Sequence, residues 1–241
     1  MTERENILAR VREALTVLAP RPGHAHDAAP HPPAPPPATL SRQSEAAADR
    51  HPSPSQWLPL VGESFEERLA LFRKNAADLK ADFQLVSNRE ELSQKLIEIR
   101  DREGWKKIGS HAGELTDAAS NALGRPVCRT DQSYDAAELE SCDAGITECD
   151  ALVAQTGSVL VTSRSAGGRA LSVLPPHHVV LAKREHLLAD LPDAFALLKK
   201  KYASNYPSFM SLITGPSRTG DIERILVLGA HGPKKLTIFC M

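Results

Sequence analysis

The sequence predicts an α/β fold: a mostly parallel open sheet with flanking helices and a few added antiparallel strands. Three observations support this prediction. Strand-like runs alternate with amphipathic helical runs from Ser64 to Ser141, His178–Ala182 is an apolar run typical of a buried strand, and two β-rich runs flank the short turn Gln155–Gly157. Because strand–helix alternation is typical of βαβ crossovers, helices are expected on the faces of a parallel sheet.

The chain divides into three predicted segments. Residues 1–19 have apolar residues at helical spacing, which predicts an N-terminal amphipathic helix. Residues 20–62 predict a Pro/Ala-rich flexible linker, because eleven of the eighteen prolines lie between Pro20 and Pro59 and apolar residues are scarce there. Residues 63–241 predict the α/β domain.

The first half of the domain is expected to begin with a helix, because Ser64 and Glu67 fit a capping box ahead of apolar residues at helical spacing. The elements predicted after it are a strand at Phe83–Val86, a helix at Arg89–Arg102, a strand at Trp105–Ile108, a helix at Glu114–Leu123, a strand at Pro126–Arg129 and a short helix at Asp135–Ser141. Strand and helix therefore alternate through this half.

The second half is richer in strands. Its predicted elements are strands at Ala151–Ala154, Ser158–Thr162 and His178–Ala182, a helix over 192–203, a strand at Ser208–Thr214 and a final strand at Leu236–Cys240. The strand at Ser208–Thr214 enters a turn at Gly215, and a short helical turn is expected after it. Since ligands of open parallel sheets lie beyond the carboxyl ends of the strands, the Gly215 turn is predicted at that edge.

The bulk composition argues against several classes of protein. A net charge of −1 argues against a general nucleic-acid or anionic-membrane binder, since both need a basic surface. The four cysteines include no Cys-x-x-Cys pair, and the adjacent His177 and His178 point to opposite faces of a strand, so no metal or iron–sulfur cofactor is expected in this chain. No stretch has the roughly 20 apolar residues of a membrane span. The polar start lacks a signal peptide, so a cytoplasmic protein is expected.

The densest group of hydrogen-bonding residues follows the turn at Gly215. The candidate ligand-binding residues here are Gly215, Ser217, Arg218, Thr219 and Glu223, with Asp221 as a candidate catalytic carboxylate. Backbone amides and hydroxyls at such a turn bind anions, and Arg218 can pair with a carboxylate or phosphate. The alternative is that Ser217, Thr219 or Asp221 caps a helix while Arg218 makes a surface ion pair.

A second rigid corner, Gly229–Pro233, carries His231. An imidazole titrates near neutral pH, which suits proton transfer, so His231 is the candidate catalytic acid–base. A loop histidine that serves only the turn is equally consistent with the spacing. The two corners are expected to fold together around one solvated cavity for a negatively charged small molecule.

Other signals are weaker. The turn Thr156-Gly157-Ser158 presents hydroxyls and amides that suit an anion, although ordinary turn chemistry explains it equally well. Glu148 and Asp150 precede this turn and suit a nucleophile or base, although solvated surface carboxylates are the simpler interpretation. Arg169, in a Gly-containing loop, is either an anion ligand or a solvated side chain.

Together these motifs resemble the LutC/YkgG family, the lactate utilisation protein C group built on the LUD domain. The residues that carry the resemblance are Thr156-Gly157-Ser158, Arg169, Leu174-Pro175-Pro176-His177-His178, Gly215-Pro216-Ser217-Arg218-Thr219-Gly220-Asp221-Ile222-Glu223 and Gly229-Ala230-His231-Gly232-Pro233. The resemblance covers residues 64–241 and implies a fold similar to the NagB/RpiA/CoA-transferase group. It also implies a role in oxidising L-lactate to pyruvate, beside an iron–sulfur subunit and an oxidoreductase subunit that supply the redox centres.

Three functional hypotheses follow, of which the third is a binding or regulatory module whose N-terminal helix docks a partner across the flexible linker. The favoured one is a subunit of an L-lactate utilisation system, with a small-anion pocket and no redox centre of its own. The alternative is a stand-alone isomerase, acyl-transfer or ligase-type enzyme that acts on a phosphorylated or CoA-linked substrate. The sequence leaves open whether this chain catalyses a reaction by itself.

Overall fold

The structure is a computed structural model that describes residues 58–203, 205–222, 225–229 and 231–241. The predicted N-terminal helix at 1–19 and most of the predicted linker at 20–62 lie outside these residues. Of the predicted segments, the α/β domain is therefore the one that the structure describes.

Helices and strands alternate through the first half of the described chain, as predicted. The helices are α1 (Phe65–Asp78), α2 (Arg89–Glu103), α3 (Glu114–Leu123), α4 (Ala136–Glu140) and α5 (Leu191–Tyr202). The strands are β1 (Asp82–Leu85), β2 (Ile108–Ser110), β3 (Val127–Arg129), β4 (Ala144–Glu148), β5 (Ala151–Val153), β6 (Ser158–Thr162), β7 (His177–Ala182), β8 (Leu187–Leu188), β9 (Met210–Ile213), β10 (Arg218–Ile222), β11 (Ile225–Leu228) and β12 (Lys235–Cys240). The capping box that predicted α1 is present, because the Ser64 hydroxyl accepts from the Glu67 amide and the Glu67 carboxylate accepts from the Ser64 amide.

Six strands form a parallel sheet in the order β1-β12-β7-β4-β2-β3. This confirms the predicted mostly parallel sheet with flanking helices. A second, four-stranded sheet has the order β8-β5-β6-β9, in which β6 is antiparallel to both neighbours, so the two predicted strands β5 and β6 form a hairpin. The strands β10 and β11 form a separate antiparallel ribbon.

The parallel sheet has an apolar core on each face. On one face α2 and α3 cover the strands, and Leu96 of α2 packs in the same cluster as Ile146 of β4. On the other face α1 and the second sheet cover the strands, and Phe72 and Val161 cluster with Val180 of β7. Burial on both faces explains why β7 is apolar along most of its length.

The strand that enters the Gly215 turn differs from the prediction. It is β9, which pairs antiparallel with β6 in the second sheet, with Val159 opposite Ile213. The chain after Gly215 forms β10, where a short helical turn was expected. The expectation was wrong because Ser and Thr after a Gly-Pro turn suit a helix cap and a strand equally, whereas the apolar run at Ile225–Leu228 provides β10 with a pairing partner.

Candidate functional site

The two Gly-Pro corners lie against each other, as the sequence predicts. The Ser217 amide donates to the Pro233 carbonyl at 2.9 Å, and the Gly229 amide donates to the Ser217 carbonyl at 2.9 Å. Gly215 has φ of 86°, and a β-carbon on it would lie 2.7 Å from the Leu79 carbonyl oxygen. Only glycine therefore fits the first corner without a shift of α1.

The hollow between the corners has a volume of about 20 Å³, which is room for about one water molecule. Gly215, Ser217 and Pro233 line it together with the buried His178. His231, the histidine that the sequence suggests for proton transfer, is exposed and is not among the residues that line this hollow.

The corners lie at the amino ends of β7 and β12. The amides of Lys234 and Lys235 donate to the carbonyl of Pro176, the residue before β7, at 2.8 and 3.2 Å. The expectation that the Gly215 turn lies at the carboxyl edge of the parallel sheet is therefore wrong. Its strand belongs to the second sheet, so the rule for parallel strands does not apply to it.

The Thr156 turn packs against α1 and adjoins the first corner. The Asn75 amide nitrogen donates to the carbonyls of Ala154 and Gln155, at 2.9 and 3.0 Å. The Ser158 and Thr214 hydroxyls share a hydrogen bond of 2.8 Å, which links the turn to Gly215. The Thr156 hydroxyl is buried and has no hydrogen-bond partner among the described residues.

The other predicted site residues are dispersed. Arg218 donates to the Leu79 carbonyl at 3.0 Å, which ties β10 to α1. Thr219 pairs with Val227 in the ribbon. Arg169 lines a separate open hollow of about 510 Å³ beside Tyr134 and Val173. Glu223 and the side chain of Asp221 lie outside what the structure describes.

The topology points to a second location, between the carboxyl ends of β2 and β4. These strands are neighbours, but the chain leaves β2 toward β3 and leaves β4 toward β7, on opposite sides. Ligands of open α/β sheets bind at such switch points. His111 follows β2 here, and Glu148 ends β4.

Glu148 caps α3 from this location. Its Oε1 accepts from the amides of Leu115 and Thr116, at 2.8 and 3.4 Å, and the negative charge favours the start of a helix. The residue before α3 is Gly113, and a β-carbon on it would overlap Glu148 Oε1. Sequence reasoning ranked Glu148 low. The absence of a Ser, Thr, Asp or Asn directly before Glu114 is the signal that a more distant carboxylate caps this helix.

His111, which sequence reasoning missed, has both ring nitrogens occupied. Nδ1 donates to the Ala112 carbonyl at 2.8 Å, and Nε2 accepts from the Glu148 amide at 3.2 Å. A ring that accepts at Nε2 and donates at Nδ1 is neutral. His111 therefore joins the ends of β2 and β4. Among the described residues, no group donates a hydrogen bond to the second carboxylate oxygen of Glu148.

A buried polar network starts two residues after Glu148. Asp150 Oδ1 accepts from Lys201 Nζ at 2.6 Å and from the Tyr202 hydroxyl at 2.7 Å, and that hydroxyl lies 3.2 Å from Thr162 Oγ1. Burial raises the pKa of Asp150, but hydrogen bonds led by that from Lys201 outweigh it, so the pKa lies below its ordinary value. The network holds a charged carboxylate against α5.

The sequence profile of the LUD domain matches residues 69–241, which span all but the first four residues of α1 and every later element. The chain belongs to the LUD domain family. The resemblance inferred from the motifs is thereby confirmed.

Curated relatives carry the name lactate utilization protein C. The protein of that name from Shouchella clausii is 33% identical over 187 residues, which cover 75% of this chain and 81% of the relative. The one from Bacillus licheniformis is 34% identical over 98 residues, 40% of this chain. That second match spans 41% of the relative's length, less than half of it.

A solved structure shares the fold. The crystal structure of a DUF162 family protein from Deinococcus radiodurans superposes with a TM-score of 0.58, at 22% identity. The match covers 76% of this chain and 99% of that chain. It shows that the overall fold of the described chain is similar to one determined by crystallography.

Two buried histidines of the LUD domain lie at the start of β7. His177 Nε2 is 2.9 Å from Thr237 Oγ1, and His178 Nε2 is 2.9 Å from Thr147 Oγ1. They contact different neighbouring strands, β12 and β4, and as adjacent residues of a strand they point to opposite faces of the sheet. Burial lowers the pKa of His177 to about 4 and that of His178 to about 3.

The residues that the structure describes contain neither a clustered metal site nor a membrane-spanning helix. They include no group of three or more His, Cys, Asp or Glu side chains placed to hold a metal ion. Over the same residues, every helix is too short or too polar to cross a bilayer.

Proposed function

We propose that this protein is a component of a lactate utilisation system. The observation that carries the proposal is the match to the Shouchella clausii protein named lactate utilization protein C, over 75% of this chain and 81% of the relative. The LUD domain at 69–241 supports the same assignment.

Within that system the protein acts as a subunit without a redox centre, beside an iron–sulfur subunit and an oxidoreductase subunit. Iron–sulfur clusters are held by thiolates. All four cysteines of this chain are buried. Burial raises the pKa of Cys142 and of Cys240 to about 11, and that of Cys149 well above its ordinary value, so these thiols stay protonated at neutral pH. Protonated thiols are poor cluster ligands, which supports placing the clusters in a partner.

The subunit binds a small anion at the paired corners. The residues assigned to this ligand are Thr156, Gly157, Ser158, Gly215, Ser217, Arg218, Thr219 and Glu223, with His231 and Asp221 assigned to proton transfer. Arg169 lines a separate hollow and is not assigned to this ligand. The contact between the Ser217 amide and the Pro233 carbonyl supports a shared site. Because the hollow there is about 20 Å³, a ligand larger than water requires the corners to separate.

The stand-alone enzyme is the second candidate, and one observation favours it. Glu148 lies at the switch point of the parallel sheet and uses Oε1 to cap α3. Its other oxygen remains for a substrate, in the place where open α/β sheets bind ligands. A carboxylate held in this way suits a nucleophile in acyl transfer.

Deletion of this gene in its own host, with complementation, tests the role in lactate utilisation. Growth on L-lactate as carbon source is expected to be lost while growth on glucose is kept. Purification of the tagged full chain from lactate-grown cells is expected to recover an iron-containing partner. Unimpaired growth on lactate overturns the role, and lactate oxidation by the purified chain alone overturns the subunit assignment.

A thermal-shift screen separates the subunit from the enzyme. Sugar phosphates, CoA esters and folates are added to the wild-type chain and to Glu148→Gln. A stabilising compound that is turned over by wild type, and not by Glu148→Gln, establishes the enzyme. Stabilisation that is equal in both variants, without turnover, favours the subunit.

A further inference from the structure

An open groove runs along the amino ends of β1, β12 and β7, on the far side of the second Gly-Pro corner from the small hollow. It consists of two adjoining hollows of about 230 and 310 Å³, which share Glu103, His177, Lys234 and Lys235. We call it the amino-edge groove. Its volume exceeds that of the hollow between the corners more than tenfold.

The charges along the groove leave a small positive excess. Its lining contains the cations Lys80, Arg102, Lys234 and Lys235 and the carboxylates Asp82, Glu103 and Asp143. Lys235 Nζ pairs with Glu103, and Arg102 Nε lies 3.4 Å from the same carboxylate. Asp143 accepts from two backbone amides. Among the described residues, Lys80 and Lys234 have no ion-pair partner, so the lining suits one negative charge on a ligand.

One residue that lines this groove, His177, has a buried ring nitrogen without a partner among the described residues. His177 is 4% exposed and lines both hollows. Its Nε2 contacts the Thr237 hydroxyl, and Trp105 packs edge-on against the ring at 5.2 Å, but Nδ1 has no hydrogen-bond partner among the described residues. Buried polar atoms are normally paired, so an unpaired one that borders a groove points to a ligand.

Because the Thr237 hydroxyl can either accept or donate a hydrogen bond, His177 Nδ1 can be either a donor or an acceptor toward a ligand. When the hydroxyl accepts from Nε2, Nδ1 carries a lone pair and accepts from a ligand hydroxyl. When it donates to Nε2, Nδ1 carries the proton and donates to a ligand carbonyl. The pKa of His177, lowered by burial to about 4, keeps the ring neutral at neutral pH, so both tautomers are available.

One of the cationic residues that line the groove, Lys80, has a strained backbone conformation. Lys80 has φ of 66°, which is the left-handed region that favours glycine. It follows α1, where its amide donates to the Ala77 carbonyl at 3.0 Å. A lysine at a position suited to glycine places an ammonium at the groove despite a less favourable backbone, as is common at ligand sites.

We propose that the amino-edge groove binds a small monocarboxylate with a hydroxyl or carbonyl beside the carboxylate, such as L-lactate or pyruvate. Lys80 and Lys234 neutralise the carboxylate, and His177 Nδ1 pairs with the adjacent oxygen. The existence of the site follows from the geometry, whereas this ligand class rests on the proposed function. The site differs from the paired corners, because it needs no separation of Ser217 from Pro233.

Isothermal titration of the full chain tests the site, with L-lactate, pyruvate, acetate and inorganic phosphate at constant ionic strength. L-Lactate and pyruvate are expected to bind about fivefold or more tightly than acetate, which lacks the second oxygen. Lys234→Ala, at an exposed position, is expected to weaken lactate binding about fivefold, and Lys200→Ala, on the exposed end of α5, is the matched control. His177→Asn is expected to lose the preference for lactate over acetate.

The outcomes separate this site from the proposed function. Absence of binding by all four anions, or binding that Lys234→Ala and Lys80→Gly leave unchanged, overturns the site. Acetate or phosphate binding as tightly as lactate overturns the ligand class. If lactate growth depends on the gene but the chain binds no lactate, the site fails and the proposed function stands. If lactate binds in the groove but growth does not depend on the gene, the site stands and the proposed function fails.

Discussion

The Ser217 amide and the Pro233 carbonyl are joined by a hydrogen bond of 2.9 Å, so two corners sixteen residues apart form one unit. The unit divides the amino edge of the LUD domain. The small hollow with His178 lies on one side, and the open groove with His177 lies on the other. Adjacent histidines of β7 thus border two different cavities, because successive side chains of a strand point to opposite faces.

Lys80→Gly is expected to stabilise the fold while it weakens ligand binding. Glycine removes the left-handed backbone cost at φ of 66°, which is about 1 kcal/mol in the free energy of unfolding. Urea denaturation followed by circular dichroism measures the change. Lys74→Gly, in the exposed middle of α1, is the control and is expected to destabilise by about 1 kcal/mol. A loss of stability in Lys80→Gly contradicts the strain argument.

Gly113→Ala is expected to lower the free energy of unfolding by about 1–3 kcal/mol. The new methyl group would overlap Glu148 Oε1 and loosen the cap of α3. Glu148→Ala is also expected to destabilise, by about 1 kcal/mol, through loss of the cap. The double variant should cost less than the sum of the two single changes, because removal of the carboxylate relieves part of the overlap. Additive effects in thermal or urea unfolding contradict this contact.

The free energy of unfolding is expected to fall as the pH drops from about 6.5 toward 4. The folded chain keeps His177 and His178 neutral, with pKa values of about 4 and about 3, whereas the unfolded chain protonates them near pH 6.5. The unfolded state binds more protons in this window, so each histidine contributes a slope of about 1.4 kcal/mol per pH unit. For His177, the charge of Glu103 opposes the shift and that of Lys235 adds to it.

Urea titrations at pH 7, 6 and 5 measure this slope. His178→Asn is expected to flatten it by up to about 1.4 kcal/mol per pH unit, which is the contribution of that one buried ring. A slope that is the same in wild type and His178→Asn contradicts the assignment.

Tyr202→Phe is expected to destabilise by about 1–3 kcal/mol, because it removes a hydrogen bond to a buried carboxylate. The pKa of Asp150 should rise, since one of the bonds that lower it is lost. Nuclear magnetic resonance titration of the carboxyl carbon measures that pKa. Tyr206→Phe, at a side chain that is 49% exposed, is the matched control and should change neither quantity. Equal effects of the two substitutions rule out a special role for the Asp150 network.

Most elements of the fold could be predicted from the sequence, but the central strand β4 (Ala144–Glu148) was not among them, and the site could be predicted only in part. The α3 boundaries and the β5–β6 hairpin depend on helical spacing and turn residues, which are local. The contact of the two corners was also predicted. The edge on which they lie was predicted wrongly, and His111 was missed, because both depend on which strands pair across long stretches of chain.

The amino-acid sequence by itself determined the helices, the β5–β6 hairpin and the membership of the LUD domain family, since these depend on short-range patterns and motifs. Tertiary structure alone decided that β4 lies between β2 and β7, that Glu148 caps a helix 33 residues earlier, and that His177 borders a charged groove. The physical reason is that strand pairing minimises exposed apolar surface over the whole domain. Strand pairing over the whole domain cannot be deduced from a short stretch of sequence. The groups that contact a titratable side chain such as His177 are therefore known only from the folded structure.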